Sequence, residues 1–209
     1  LLCLFDFEPP LYPKAFDARF IGHPIVDWSK PSNNRQTDFF GLAPGSRPQE
    51  IKRMWPLFLK TAKTIKREKP KSRFVVSAPV HIPKNCPWIE MSTNGAKAYR
   101  ETQATLTKSG TITLELALMG VPMVVAHQVH PLTHWISKRK IEGVEHIALP
   151  NILSKSRIAP EYRQRLNPKI LAKELTSVRQ QNFRLSSAGS GGAIERAATA
   201  IIEKLKERK

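Results

Sequence analysis

The sequence predicts an α/β fold in which helices cover both faces of a parallel sheet. Short apolar runs alternate along the chain with amphipathic segments, as they do in βαβ units. The run at residues 122–126 is apolar throughout, which is typical of a strand buried on both faces. A chain of 209 residues, 41% of them hydrophobic, can bury a core and is not disordered. The predicted class is therefore Rossmann-like.

The elements follow in order along the chain. Residues 1–5 and 19–22 are predicted as short strands, and the polar stretch 29–36 as a linker. Because no methionine precedes the first strand, we expect a fragment of a longer protein. Continuous apolar runs predict strands at 38–42, 74–76, 88–91, 104–106, 122–126 and 145–149. Apolar spacing of 3.6 residues, or capping hydroxyl residues, predicts helices at 51–65, 95–101, 109–119, 132–140, 168–180 and 192–206.

The charge balance is strongly basic. With 34 Lys and Arg against 17 Asp and Glu, the net charge is +17, which favours an anionic partner such as nucleic acid, a phospholipid surface or a phosphorylated substrate. Cys3 and Cys86 are too few for a disulfide framework and indicate a reducing compartment. No apolar run approaches the ~20 residues that a membrane span needs.

Two segments that follow predicted strands carry residues suited to a nucleotide. Gly45, Ser46 and Arg47 come between a strand and a helix, where backbone N–H groups, a hydroxyl and a guanidinium could hold phosphate. By itself, this segment could equally be a tight turn with a helix cap. Ser109, Gly110 and Thr111 open a second helix. Glu115, one turn inside it, could accept hydrogen bonds from a ribose, although a solvated helix glutamate would have the same sequence.

A third segment and a pair of histidines complete the candidate set. Asn151 follows Pro150 at a predicted strand exit, where its amide could meet a uracil edge or a diphosphate, or could simply form a turn. His127 and His130 lack a third ligand at the spacing of a zinc site, so no metal is predicted. Three such loops after three parallel strands together favour a nucleotide site over coincidence.

Several motifs resemble the lipid-A-disaccharide synthase family, in the same order and with the same spacing. They are FE with a later tyrosine (Phe7, Glu8, Tyr12), GHP (22–24), APGSRPQEI (43–51), KSGTITLELALMGVPMVV (108–125) and LPNIL (149–153). The resemblance implies the GT-B glycosyltransferase fold, of which this chain would supply one Rossmann-like half. It also implies an inverting transferase that joins UDP-2,3-diacylglucosamine to 2,3-diacylglucosamine 1-phosphate, gives lipid A disaccharide phosphate and UDP, and needs no cofactor or metal.

The resemblance also assigns domains and residues. Residues 1–28 would be a remnant of the acceptor domain, 29–36 a linker and 37–209 the UDP-sugar-binding domain. This chain alone would bind UDP or the UDP-sugar weakly without transferring the sugar, since the catalytic base is expected outside it. The implied substrate-binding residues are Gly45, Ser46, Arg47, Ser109, Gly110, Thr111, Glu115, Asn151, Glu161 and Gln164. The sequence departs from the family at Lys108, where a small apolar residue is usual, and at His127 and Gln128.

Partners and location follow from the same resemblance. We expect both lipid precursors as substrates, a cytoplasmic protein held peripherally on the anionic inner membrane, and no nucleic acid. A homodimer through the last helix, with Ala197, Ala200 and Ile201, is a further expectation. Two alternatives stay open: another GT-B enzyme that uses a UDP-sugar, and a basic α/β module that binds nucleic acid. Against the second, Trp55 and Phe58 are predicted on the apolar face of their helix, away from any exposed stacking surface.

Overall fold

The structure is a computed structural model that describes residues 1–32, 34–128, 146–163, 166–179, 183 and 189–206. The chain forms two compact units, one of Leu1–Lys30 with Arg184–Lys209 and one of Pro31–Phe183. The last helix is thus grouped with the start of the chain, whereas the sequence-based division had placed it in residues 37–209. The roles given to the domains stay predictions.

The larger unit contains a six-stranded sheet in which every pair of neighbours is parallel. The strands are β3 (Gln36–Ala43), β4 (Arg73–Val76), β5 (Ile89–Met91), β6 (Thr102–Lys108), β7 (Met123–His127) and β8 (Glu161–Arg163). The spatial order is β5-β4-β3-β6-β7-β8, so β3 and β6 are central. Such an arrangement places the carboxyl ends of all these strands at one edge of the sheet.

Helices lie on both faces of this sheet, and the predicted fold class is confirmed. In the larger unit they are α2 (Pro48–Glu68), α3 (Thr111–Leu118), α4 (Leu149–Ser154) and α5 (Pro168–Ser177), with a 3-10 helix at Gly95–Tyr99. On β3, Phe40 and Leu42 belong to the core under α2 and α5, whereas Phe39 and Ala43 belong to the core on the α3 face. This two-residue alternation follows from the pleat of a strand that is buried on both faces.

The amphipathic pattern of α2 gives the helix its buried face. Met54 and Phe58 are fully buried and Trp55 nearly so, as the sequence predicted. Each such side chain contributes roughly 1.5–3 kcal/mol of burial free energy. Because both aromatic residues are in the core, neither offers a surface on which a base could stack.

The chain after β7 differs from the sequence-based expectation. The strand predicted at 145–149 is wrong, because helix α4 begins at Leu149 and residues 146–148 have no strand structure. Pro150 lies in the first turn of α4, where its fixed φ and missing N–H are compatible with a helix. The sequence did not predict β8. The helix expected at 132–140 lies outside the described residues.

The smaller unit contains a parallel pair, β1 (Leu2–Cys3) and β2 (Arg19–Phe20), with helices α1 (Ile25–Trp28) and α6 (Ala193–Lys206). Two hydrogen bonds join its sequence-distant parts. Arg196 Nε donates to the Ile21 carbonyl at 2.7 Å, and Gly192 N donates to Asp27 Oδ1 at 2.7 Å.

Candidate nucleotide-binding site

The candidate site lies where the two central strands end. β3 and β6 are paired so that Ala43 is opposite Thr107, and each strand leads through a short loop into a helix, α2 or α3. The loops therefore lie side by side at the carboxyl edge of the sheet. This is the edge at which open parallel sheets bind their ligands.

The first loop requires its glycine. Gly45 has φ +116°, a conformation that side chains rarely adopt. A Cβ there would lie 2.6 Å from Glu50 Oε2 and 2.9 Å from Glu50 Cβ, so the glutamate packs directly over the loop. Ser46 and Arg47 are exposed, and Arg47 is the residue just before α2, where its backbone carbonyl accepts a hydrogen bond from Ile51 N at 3.0 Å. The local geometry thus presents a hydroxyl and a guanidinium to solvent above a tight turn.

An ion pair joins the two loops. Glu50 Oε1 lies 3.2 Å from the Lys108 ammonium, and Glu50 Oε2 accepts hydrogen bonds from Ser46 N at 3.4 Å and Arg47 N at 3.5 Å. Burial raises the pKa of Glu50, but Lys108 and the two backbone donors outweigh it, and the net shift is downward. The carboxylate is therefore ionised near neutral pH and holds both loops together.

The second loop opens α3. Gly110 is the residue before the helix, and its carbonyl accepts a hydrogen bond from Thr113 Oγ1 at 2.7 Å. Ser109 Oγ donates to the Ile147 carbonyl at 2.6 Å, which ties this loop to the segment before α4. Thr111 is exposed and Glu115 is half-buried one turn further on. The first turn of α3 thus faces the same space as the start of α2.

The two loops enclose a cavity of about 430 Å³. Of the ten residues predicted to bind substrate, seven line it: Gly45, Ser46, Arg47, Ser109, Gly110, Thr111 and Glu115. Glu50, Lys108, Ser77 and Tyr99 complete much of the wall. A Glu three residues after a helix cap is a recognisable capping signal, and Lys108 stood out as a departure from the family. Neither signal identifies a cavity wall on its own.

Tyr99 joins two strand ends beside the cavity. Its hydroxyl donates to the Leu42 carbonyl at 3.0 Å and accepts from Ser77 N at 2.9 Å. Burial raises the pKa of Tyr99 to about 12, against the opposing effect of the Ser77 N–H. The phenol is thus a neutral link between β3 and the end of β4.

The remaining predicted residues lie elsewhere. Asn151 is fully buried, and its amide donates to the Ala159 carbonyl and Glu161 Oε1 and accepts from Ala159 N, each at 2.8 Å. Glu161 Oε1 also accepts from Ile147 N at 3.1 Å and Ala148 N at 2.7 Å. Neither residue lines the cavity. Gln164 lies outside the described residues.

A second cavity of about 650 Å³ adjoins the first. Arg47, Glu50 and Lys108 line both cavities, and Arg53 and His127 extend the second. Burial lowers the pKa of His127, and the nearby Lys108 and Arg163 lower it further. Because the imidazole is neutral near pH 7, the fixed positive charge of this wall comes from lysine and arginine.

Comparison with known proteins decides the family. The family profile described as lipid-A-disaccharide synthetase matches residues 1–188. The chain belongs to the lipid-A-disaccharide synthase family. Among its relatives, the synthase of Geobacter metallireducens is 34% identical over 99% of this chain and 62% of its own length. The synthase of Neisseria meningitidis (strain FAM18) is 33% identical over 97% of this chain and 62% of its own length. The synthase of Coxiella burnetii (strain Dugway) is 31% identical over 90% of this chain and 56% of its own length.

The chain spans less than two thirds of the length of these family members. In structure it is similar to the UDP-GlcNAc 2-epimerase of Methanocaldococcus jannaschii, solved with UDP-GlcNAc and UDP. The TM-score is 0.61 at 12% identity, covering 97% of this chain and 60% of that one. A second structure of that epimerase gives a TM-score of 0.53 at 13% identity, covering 88% and 56%. At such identity, the likeness supports the fold.

Proposed function

We propose that the cavity between the two loops binds the uridine diphosphate of a UDP-sugar. The observation that carries this proposal is the convergence of Gly45–Arg47 and Ser109–Thr111 on one space. Helix starts offer unpaired N–H groups and a partial positive charge, which suit an anion. Arg47 adds a full charge, and Glu115 is placed in the same wall to accept from a ribose.

The whole protein would then be the glycosyltransferase that joins UDP-2,3-diacylglucosamine to 2,3-diacylglucosamine 1-phosphate in lipid A biosynthesis. As the sugar leaves, negative charge develops on the diphosphate. Donors that are fixed around this group before the reaction stabilise that charge without reorganisation. In this proposal, Arg47 and the loop amides perform that role, and no residue of this chain is assigned as the base that activates the acceptor hydroxyl.

Asn151 and Glu161 take a different role in this proposal. Asn151 donates to the Glu161 carboxylate, which accepts from Ile147 N and Ala148 N, and the Ile147 carbonyl in turn accepts from the Ser109 hydroxyl. We therefore assign them to positioning the second loop. The binding role of Gln164 stays a prediction.

Calorimetric titration of the chain with UDP tests the site. Arg47→Ala removes a charge-assisted contact and should weaken UDP binding by about 10- to 100-fold, since such contacts contribute roughly 1.5–3 kcal/mol. Glu115→Ala should weaken UDP binding more than binding of the deoxyribose analogue dUDP. The exposed Arg179 and Glu68, outside the cavity, supply matched controls in Arg179→Ala and Glu68→Ala. Equal UDP affinity in Arg47→Ala and Arg179→Ala would reject the site.

The same chain should bind UDP without transferring sugar. The assay combines it with both lipid precursors and measures release of UDP. Turnover by the purified 209-residue chain would show that the base lies within it and would contradict this part of the proposal.

Peripheral attachment to an anionic membrane is proposed for a separate basic surface. Lys60, Lys63, Arg67 and Lys169 line a cavity of about 790 Å³ formed by α2 and the start of α5. Each basic residue near an anionic bilayer contributes ~1 kcal/mol. No helix of the described residues is long and apolar enough to span a bilayer. We expect the chain to cosediment with vesicles that contain anionic phospholipid. This binding should be lost at high salt and in a Lys60→Glu/Lys63→Glu variant. Equal binding to neutral vesicles would contradict the proposal.

The two alternative functions are not favoured. Family membership favours the synthase over other GT-B enzymes, and the burial of Trp55 and Phe58 leaves a nucleic-acid module without these stacking residues. Homodimerisation through α6 stays a prediction. Ile201 and Leu205 are exposed on this helix, and light scattering of wild type and Ile201→Glu would test their role.

A further inference from the structure

Lys108 is the last residue of β6 and extends into the candidate site. Its side chain is only 17% exposed, although it carries a charge. The ammonium lies 3.2 Å from Glu50 Oε1 and donates to the Ser109 carbonyl at 2.9 Å. An ammonium has three donors, so these two contacts leave one N–H with no partner among the described residues.

The aliphatic part of Lys108 fixes where the ammonium lies. A Cβ on Gly45 would come within 3.3 Å of Lys108 Cδ, so the lysine stem passes directly over the glycine loop. The residue lines both the cavity of about 430 Å³ and the adjoining one. The charge is therefore held at the boundary of the two cavities, close to Arg47, whose guanidinium lies 3.7 Å from the same Glu50 Oε1.

Glu50 currently satisfies the groups that an anionic ligand would use. Its carboxylate meets the Ser46 and Arg47 N–H groups at 3.4 and 3.5 Å, at the long limit for a hydrogen bond. The same carboxylate pairs with Lys108. A diphosphate carries more charge than one carboxylate and would compete well for both the amides and the ammonium.

We propose that Lys108 is a second diphosphate-binding cation, which Glu50 holds in place until the ligand arrives. On binding, the ammonium moves from the Glu50 carboxylate to a phosphate oxygen, while Arg47 contacts the diphosphate from the other loop. This role rests on the proposed function, in which the cavity takes UDP. It makes Lys108 a specificity residue, because its contribution grows with the charge of the phosphate group.

The test compares UDP, UMP and uridine as ligands of the whole chain by calorimetry. Lys108→Met removes the charge and keeps the length of the stem, and Lys108→Arg restores a cation. Lys173→Met removes the same charge from an exposed position on α5, outside both cavities. We expect Lys108→Met to weaken UDP binding about tenfold and UMP binding less, and to leave uridine binding unchanged, since charge-assisted hydrogen bonds are the strong ones.

Controls separate this inference from the proposal beneath it. Lys108→Arg should restore most of the UDP affinity, and Lys173→Met should match wild type. Equal UDP affinity in wild type and Lys108→Met, or an equal loss for UDP and uridine, would overturn the role of Lys108 while leaving UDP binding intact. Failure of wild type to bind UDP at all would instead reject the nucleotide site itself.

Discussion

Replacing Asn151 by alanine would show whether this residue binds the nucleotide or stabilises the fold. The side chain is fully buried and makes three hydrogen bonds, each of 2.8 Å. At roughly 1 kcal/mol for each bond, the loss is about 3 kcal/mol, and the unsatisfied Ala159 backbone groups would increase it. For a domain of about 150–250 residues, that lowers Tm by roughly 6–12 °C.

The assay pairs thermal unfolding with UDP titration well below the lowered Tm. We expect a large loss of stability and a change in UDP affinity of no more than about threefold, since Asn151 does not line the cavity. Asn94→Ala is the matched control, because Asn94 is exposed and its side chain does not cap the following turn. An unchanged Tm together with lost UDP binding would refute the structural role and restore Asn151 as a ligand-binding residue.

Two further predictions concern packing beside the cavity. Tyr99→Phe removes the hydrogen bonds to Leu42 O and Ser77 N and should cost about 2 kcal/mol by chemical denaturation at pH 7. The pKa of Tyr99 is raised from 10.0 to about 12 in the folded state, so the wild type alone should lose this stabilisation as pH rises through that range. If the free energy of unfolding falls equally with pH in both proteins, the buried neutral phenol is contradicted. Gly41→Ala places a Cβ against Thr105 and 2.7 Å from Tyr99 Cδ1, so calorimetry should show a free energy of unfolding lowered by roughly 1–3 kcal/mol. An unchanged Tm would show that the neighbouring side chains can move aside.

The sequence predicted the sheet better than it predicted the segment after β7. A short, wholly apolar run such as 122–126 fits a strand that is buried on both faces of a sheet. Strands β3, β4, β6 and β7 lie where such runs predicted them. The run at 145–149 was misleading because Pro150 is compatible with both a strand exit and a first helical turn. A single local pattern could not separate the two.

In the candidate site, too, features set by neighbouring residues were predicted from the sequence, and contacts between distant residues were not. Gly45–Arg47 and Ser109–Thr111 were predicted because strand, turn and helix start are local features. The buried partners of Asn151, by contrast, come from Ala159 and Glu161, and the Tyr99 hydroxyl contacts a strand 57 residues away. Such contacts depend on the three-dimensional arrangement, and the residue types alone do not reveal that the polar groups of Asn151 already have partners within the protein.

The hydrogen bonds around Glu161 have a mechanical consequence for the second loop. This carboxylate, on the edge strand β8, secures the backbone that receives the Ser109 hydroxyl. A substitution on this edge strand should therefore change the position of the first turn of α3 without any contact to a ligand. We therefore predict that ligand binding at the carboxyl ends of β3 and β6 and detachment of the outer strand change each other's free energy by the same amount.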